Sequence, residues 1–141
     1  MISSAQGGDF EKLSFLIVED DSDSRLYLRH VLDDLGAARI YESGDGHTAL
    51  DMLGQSARKI DVILCDWNMP SMSGIELLRH LRNVGIHTPF LIVTGRGDKD
   101  SVISAQAQGA NGYIKKPFTQ AQMEEKIRIL LGRDKAQRFM S

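Results

Sequence analysis

Five short runs of β-branched and aliphatic residues, at 15–18, 39–41, 62–65, 90–93 and 112–114, begin about 22 to 28 residues apart. That interval holds one strand, one helix and their two turns, so the chain is restricted to repeated βα units. The first, third and fourth runs read FLIV, VILC and FLIV, with no alternation of polar and apolar residues. Unbroken apolar strands are those covered on both faces, the mark of a central parallel sheet. Between the runs lie helical periods. Leu28, Val31, Leu32 and Leu35 recur at i, i+3, i+4 and i+7, as do Gly74, Leu77, Leu78 and Leu81, and Met123, Ile127 and Leu130 continue the pattern. Ser22 or Asp23 is suited to cap the first helix and Gly36 to close it, while Ser73 and Thr119 are suited to cap the third and the last. The segment 98–108 is a weaker helix, with Val102, Ile103 and several alanines to bury. Right-handed crossovers place helices on both sides of the sheet, which predicts an α/β fold: a doubly wound, five-stranded parallel sheet.

At 141 residues the chain has the size of one domain. The expected division is a tail at 1–12, a domain at 13–131 and a second tail at 132–141. A formal net charge of −2 provides no broad basic surface, so binding of nucleic acid by this domain is not expected. No apolar run approaches the ~20 residues of a membrane span, and MISSAQGGDF lacks the basic start and apolar stretch of a secretory signal. A cytoplasmic protein with no membrane partner is therefore expected. Cys65 is the only cysteine and sits in an apolar run, where it serves as a small core residue.

In open α/β sheets ligands bind beyond the carboxyl ends of the strands. The residues there are Glu19, Asp20 and Asp21 after the first strand and Asp66 after the third. Thr94 and Gly95 follow the fourth, and Lys115, Lys116 and Pro117 the fifth. An aspartate at a strand end is commonly a turn former, but these residues must share one edge. Clustered carboxylates repel, by about 1 kcal/mol per pair at 4 Å in water and several times more at lower dielectric, so something positive must compensate. Hard, sparse oxygen ligands suit Mg²⁺. The four histidines, His30, His47, His80 and His87, have no usable zinc spacing. A metal, one accessible carboxylate, a hydroxyl and an ammonium form a layout for phosphoryl transfer to that carboxylate. Asp66 would attack phosphorus, Mg²⁺ and Lys116 would offset the charge on its oxygens, and Thr94 would donate a hydrogen bond to one of them. Gly95 would leave room for the group. Neither GxGxxG nor GxxxxGK[ST] follows the first strand, so nucleotide binding there is not expected. The RGD at 96–98 bridges a strand and a helix and is not read as an adhesion motif.

FLIVEDD, LCDWNMPSMSG, LIVTG and GYIKKPF, in this order and spacing over about residues 14 to 131, resemble the CheY-like receiver domain of two-component response regulators. DWNMP is similar to the chemotaxis branch, without assigning a motile pathway. The resemblance implies a flavodoxin-like (βα)5 fold and a phospho-accepting switch rather than a turnover enzyme. It implies that Asp66 accepts phosphate from a sensor histidine kinase or histidine phosphotransfer protein. It further implies that Asp20, Asp66 and the Asn68 backbone carbonyl ligate Mg²⁺, with Glu19 acting through water. Thr94 and Tyr113 would form a switch pair and Lys116 would contact the phosphoryl group. Lys116, rather than Lys115, matches the family's Lys-Pro pair, whose peptide bond is a plausible cis bond. A downstream protein would dock on the face of the fourth helix, fifth strand and fifth helix. Glu19 stands where Asp is more frequent, and Asp21 adds a third acid suited to helix capping. Asn68 and Arg96 lie where attacking water approaches and would tune the phosphoryl lifetime.

Three other readings remain at this stage. The chain could be a receiver module cut from a larger regulator or hybrid kinase. It could be a Mg²⁺-dependent phosphatase working through an aspartyl phosphate, although Asn68 occupies the place of that class's second acid. A receiver that only docks partners is disfavoured because every required side chain is present.

Overall fold

The structure is a computed structural model and describes residues 10–54, 59–95 and 98–133. Strands and helices alternate as β1 (Ser14–Val18), α1 (Ser22–Asp34), β2 (Arg39–Ser43), α2 (Gly46–Gly54), β3 (Val62–Asp66), α3 (Gly74–Asn83), β4 (Phe90–Thr94), α4 (Lys99–Ala107), β5 (Gly112–Lys115) and α5 (Gln120–Arg133). The strands form one sheet of order β2-β1-β3-β4-β5, parallel at every pairing. This is the doubly wound sheet that the sequence predicts. β3 and β4 are buried at every position, as unbroken apolar runs require.

Alternation along each strand divides the interior into two layers. Phe15, Ile17, Leu64, Val93 and Ile114 face the layer closed by Leu28, Val31 and Leu32 of α1 and by Met123, Ile127 and Leu130 of α5. Leu16, Val18, Cys65 and Ile92 face the other layer, closed by Ala49 of α2, Leu77, Leu78 and Leu81 of α3, and Ala105 of α4. Cys65 is fully buried, and burial pushes its thiol well above the usual range. It is a core residue, as expected.

The helix ends follow their caps with one shift. Asp21, in extended conformation, caps α1 by accepting the Ser24 N–H at 2.8 Å; Ser22 and Asp23 already lie in the first turn. Gly36 takes the left-handed φ of 94° that ends this helix. Ser73 and Glu76 form a reciprocal capping box on α3, and Thr119 exchanges bonds with Gln122 in the same way at α5. α4 differs in part from expectation: one of its alanines is buried as expected, but Ile103 is not. It meets the sheet through Ser101 and Ala105, whereas Ile103 is exposed. Two small residues at i, i+4 make this a shallow contact.

At the amino-terminal ends of β4 and β5, Asn111 and Arg82 close the sheet edge. Asn111 Oδ1 accepts from the Phe90 N–H and from Arg82 Nη2, both at 2.9 Å. Arg82 also donates to the carbonyls of Ile86 and Gly109. Asn111→Ala removes the acceptor that two donors share. It is expected to cost about 1–3 kcal/mol, read as a lower urea midpoint at unchanged m-value.

Candidate functional site

Parity brings the charged residues together. Ile17, Leu64 and Ile114 point into the α1/α5 layer, and two residues further along each chain stand Glu19, Asp66 and Lys116. Sheet order puts β1, β3, β4 and β5 side by side, so these side chains emerge at one edge. Glu19 is 1% exposed and Asp66 9%. Lys116 Nζ lies 3.1 Å from Glu19 Oε1 and 3.6 Å from Asp66 Oδ1. Asp20 is exposed beside them, and Glu19, Asp20 and Asp66 can each offer an oxygen within 4.8 Å of the others. The Lys116-Pro117 peptide bond is cis.

Glu19 is gripped at every polar atom. Its N–H donates to the Ser43 carbonyl at 3.0 Å and its carbonyl accepts from Arg25 Nη1 at 2.7 Å. Its carboxylate accepts from Lys116 and from the Asp21 N–H, at 3.1 and 3.2 Å. Burial raises the Glu19 carboxyl above its ordinary range; the Asp21 N–H opposes this, Asp66 adds to it, and Lys116 opposes it. Burial likewise raises Asp66, against the Lys116 ammonium and the Trp67 N–H, with Asp20 adding to the rise. For Lys116, burial disfavours the charge, but Asp66 and Glu19 outweigh that and hold it above the usual lysine value. Two carboxylates, Glu19 and Asp66, thus lie in ion-pair range of one ammonium with Asp20 beside them, a cluster with the charge and hard oxygens to hold a divalent cation.

The loop after Asp66 is fixed by contact. The Gly74 N–H donates to the Trp67 carbonyl at 2.8 Å, and a Cβ on Gly74 would stand 2.3 Å from the Asp66 carbonyl oxygen. Ser71 takes a left-handed φ of 72° between Pro70 and the buried Met72. Trp67 is half-buried and Asn68 exposed at the mouth. Thr94 is fully buried at the tip of β4, with its carbonyl accepting the Lys116 N–H at 2.7 Å. A Cβ on Gly95 would meet nothing within 4 Å, the open space expected there. Thr94 pairs with Lys115 and Ile92 with Tyr113, so Thr94 and Tyr113 share the α4 side of the sheet, one pleat apart. Arg96 lies outside the described residues. All four histidines are exposed, and none joins this cluster.

The profile of the response regulator receiver domain matches residues 15–128. The chain belongs to this receiver family. It is 42% identical over 123 residues to the chemotaxis protein CheY of Pseudomonas aeruginosa, covering 86% of this chain and 98% of that protein. It is 40% identical over 119 residues to CheY-3 of Vibrio cholerae, covering 83% and 90%. Among solved structures, a receiver domain from Clostridium thermocellum superposes with a TM-score of 0.78 at 28% identity, covering 87% of this chain and 97% of that one. A Francisella receiver domain gives 0.79 at 28% identity, covering 88% and 100%. As a receiver the protein is a phospho-accepting signalling domain of a two-component system. Receivers as a family work with histidine kinases and downstream targets, and act as switches rather than turnover enzymes. No helix among the described residues is long and apolar enough to cross a membrane.

Two residues that shape this receiver's site have no role assigned from sequence. Arg25 carries no motif, since its partner is a main-chain carbonyl. Gly74 reads as one position of a helical face, although its place directly after SMS at a helix entrance was a signal of close approach. Gly74→Ala sets a Cβ against two backbone groups that cannot yield, the Asp66 carbonyl and, at 3.2 Å, Trp67 Cα. It is expected to lower stability by about 1–3 kcal/mol and to shift native Trp67 emission, read by thermal melts and fluorescence.

The raised carboxyls also set a pH dependence. In metal-free protein the unfolded Asp66 releases its proton near 3.8 while the folded one holds it to higher pH, so its charge destabilises the fold above that window. Asp66→Asn is therefore expected to melt higher than wild type in chelator at neutral pH. That gain should shrink as pH falls through the folded Asp66 value and vanish below 3.8. Paired melting curves across pH check both the sign and the window.

Proposed function

We propose that Asp66 is the phosphoacceptor of this receiver and that Mg²⁺ is its cofactor. The observation that carries the reading is the Lys116 ammonium beside both Asp66 and Glu19, in a cluster of three carboxylates at the carboxyl edge of the sheet. Asp20, Asp66 and the Asn68 carbonyl supply hard oxygens for the ion, with Glu19 acting through water because Lys116 and the Asp21 N–H already occupy its carboxylate. Bound Mg²⁺ neutralises negative charge on phosphoryl oxygens. The remaining work falls to the protein. An Asp66 oxygen attacks phosphorus as the bond to the donor's imidazole breaks, and the imidazole nitrogen takes up a proton. Lys116 moves its charge onto a phosphoryl oxygen, and the Thr94 hydroxyl donates to another. Gly95 leaves open space at the same edge.

Reorientation of Thr94 toward the phosphoryl group frees space on the α4 side, into which Tyr113 moves. The output surface is the α4, β5, α5 face, where a cavity of about 180 Å³ is lined by Val102, Ala105, Tyr113 and Lys126 among others. Asn68 and Arg96 tune the lifetime of the acyl phosphate. The phosphoryl donor is a sensor histidine kinase or histidine phosphotransfer protein, and the place of action is the cytoplasm. The phosphatase reading is disfavoured by Asn68, an amide without a proton to give where that chemistry uses an acid.

Titration with Mg²⁺ and then acetyl phosphate or fluoroberyllate, followed by Trp67 emission, tests the reading. Wild type is expected to respond saturably at each step, and Asp66→Ala to lose the phosphoryl-dependent step. A variant responding like wild type sinks Asp66 as acceptor.

A further inference from the structure

Arg25, one turn into α1, reaches back over the helix start to the end of β1. Its Nη1 donates to the Glu19 carbonyl at 2.7 Å, and its Nε lies 3.4 Å from Glu42 Oε1 on β2. Glu42 also takes the guanidinium of Arg29, from the next turn of α1. Arg25 is therefore oriented by a fixed carboxylate on a neighbouring strand. Its side chain is only 26% exposed, and the atom it holds belongs to a residue that is 1% exposed. A carbonyl buried there and left without its charged donor would carry a desolvation penalty.

The consequence comes from peptide planarity. The Glu19 carbonyl oxygen and the Asp20 Cα lie in one rigid plane. On its other side Glu19 is held by its N–H bond to Ser43. Fixing the oxygen therefore fixes where the Asp20 side chain starts, as well as the path to Asp21, whose N–H holds Glu19 Oε2. We propose that Arg25 is a positioning residue for the acidic pocket: aimed by Glu42, it sets the peptide plane joining Glu19 to Asp20 and so presets both carboxylates for the cation. This rests on the proposed Mg²⁺ function. Arg25 itself touches neither cation nor phosphoryl group.

Charge alone makes the opposite prediction, which gives the test its sign. Removing a cation near three carboxylates should tighten Mg²⁺ binding by Coulomb's law, whereas losing a positioning group should weaken it. Mg²⁺ affinity is read from Trp67 emission for wild type, Arg25→Ala, Arg25→Lys and Glu42→Gln. In parallel, the rate of Lys116 acylation by acetic anhydride is read by mass spectrometry in chelator. Arg25→Ala is expected to bind Mg²⁺ about tenfold more weakly. Glu42→Gln should weaken it in the same direction by less, and Arg25→Lys, which keeps the charge without the two-pronged geometry, should not restore wild-type affinity. Lys116 should label faster in Arg25→Ala, as Glu19 loses its fixed orientation. Unchanged or tighter Mg²⁺ binding in folded Arg25→Ala overturns the assignment; should that variant not fold, the same result in Glu42→Gln does so. If wild type itself shows no Mg²⁺ response, the proposed function falls instead. Lys116 labelling then decides alone: faster labelling supports the role of Arg25 and an unchanged rate overturns it.

Discussion

One ammonium stands between two carboxylates that burial makes costly to ionise together. Without Lys116, the Glu19 and Asp66 charges would face each other at the edge of an apolar sheet with only water and backbone N–H groups to offset them. At an effective dielectric near 20, like charges about 4 Å apart repel by roughly 4 kcal/mol, a large part of what a domain of this size has in hand. Lys116 turns that repulsion into two ion pairs, at 3.1 and 3.6 Å. Its compensation is incomplete, because both acids still hold protons more tightly than usual. A site left short of positive charge is one to which a divalent cation, as proposed for Mg²⁺, would add what it lacks.

The sheet makes this arrangement cheap to build. Parallel strands send all their carboxyl ends to one edge, and the order β2-β1-β3-β4-β5 sets the four contributing strands in a row. A period of two then selects the face: residues two past the last inward apolar position of β1, β3 and β5 are Glu19, Asp66 and Lys116. The opposite end of the sheet is built differently. There Asn111 and the Arg82 guanidinium satisfy one another and the chain around them through neutral hydrogen-bond partners, and no cluster of carboxylates is gathered among the described residues. Stability and reactivity are thus separated along the strand axis.

What was legible in the sequence follows from the same geometry. Strands buried on both faces leave uninterrupted apolar runs, so their number, direction and polar ends could be read without coordinates, and with them Glu19, Asp20, Asp66, Thr94 and Lys116. The capping residues Ser73 and Thr119 were legible because capping is local. The cap of α1 was divided among Asp21, Ser22 and Asp23, which have equal chemical claim to it, and only backbone angles choose Asp21. On α4 the buried Ala105 was among the alanines expected to face inward, but Ser101 in place of the exposed Ile103 could not be read, because a weak apolar period does not fix which face of a helix turns to the sheet. Arg25 and Gly74 were hidden for a different reason. Each meets a main-chain carbonyl several residues back along the chain, and a carbonyl is common to every residue type.

The shallow seat of α4 bears on how a charge event at one edge can be felt on an outer face. Glu19, Asp66 and Lys116 follow the α1/α5 side of the sheet, while Thr94 and Tyr113 follow the α4 side. Thr94 belongs to both: its carbonyl holds the Lys116 N–H, and its hydroxyl is the donor proposed for the phosphoryl group. In the proposed switch, a change in what that hydroxyl bonds alters the packing over Tyr113 directly. A helix seated by two small side chains resists such a change less than one seated by a row of leucines, as α3 is. The weakest helix in the sequence pattern thus flanks the residue expected to move.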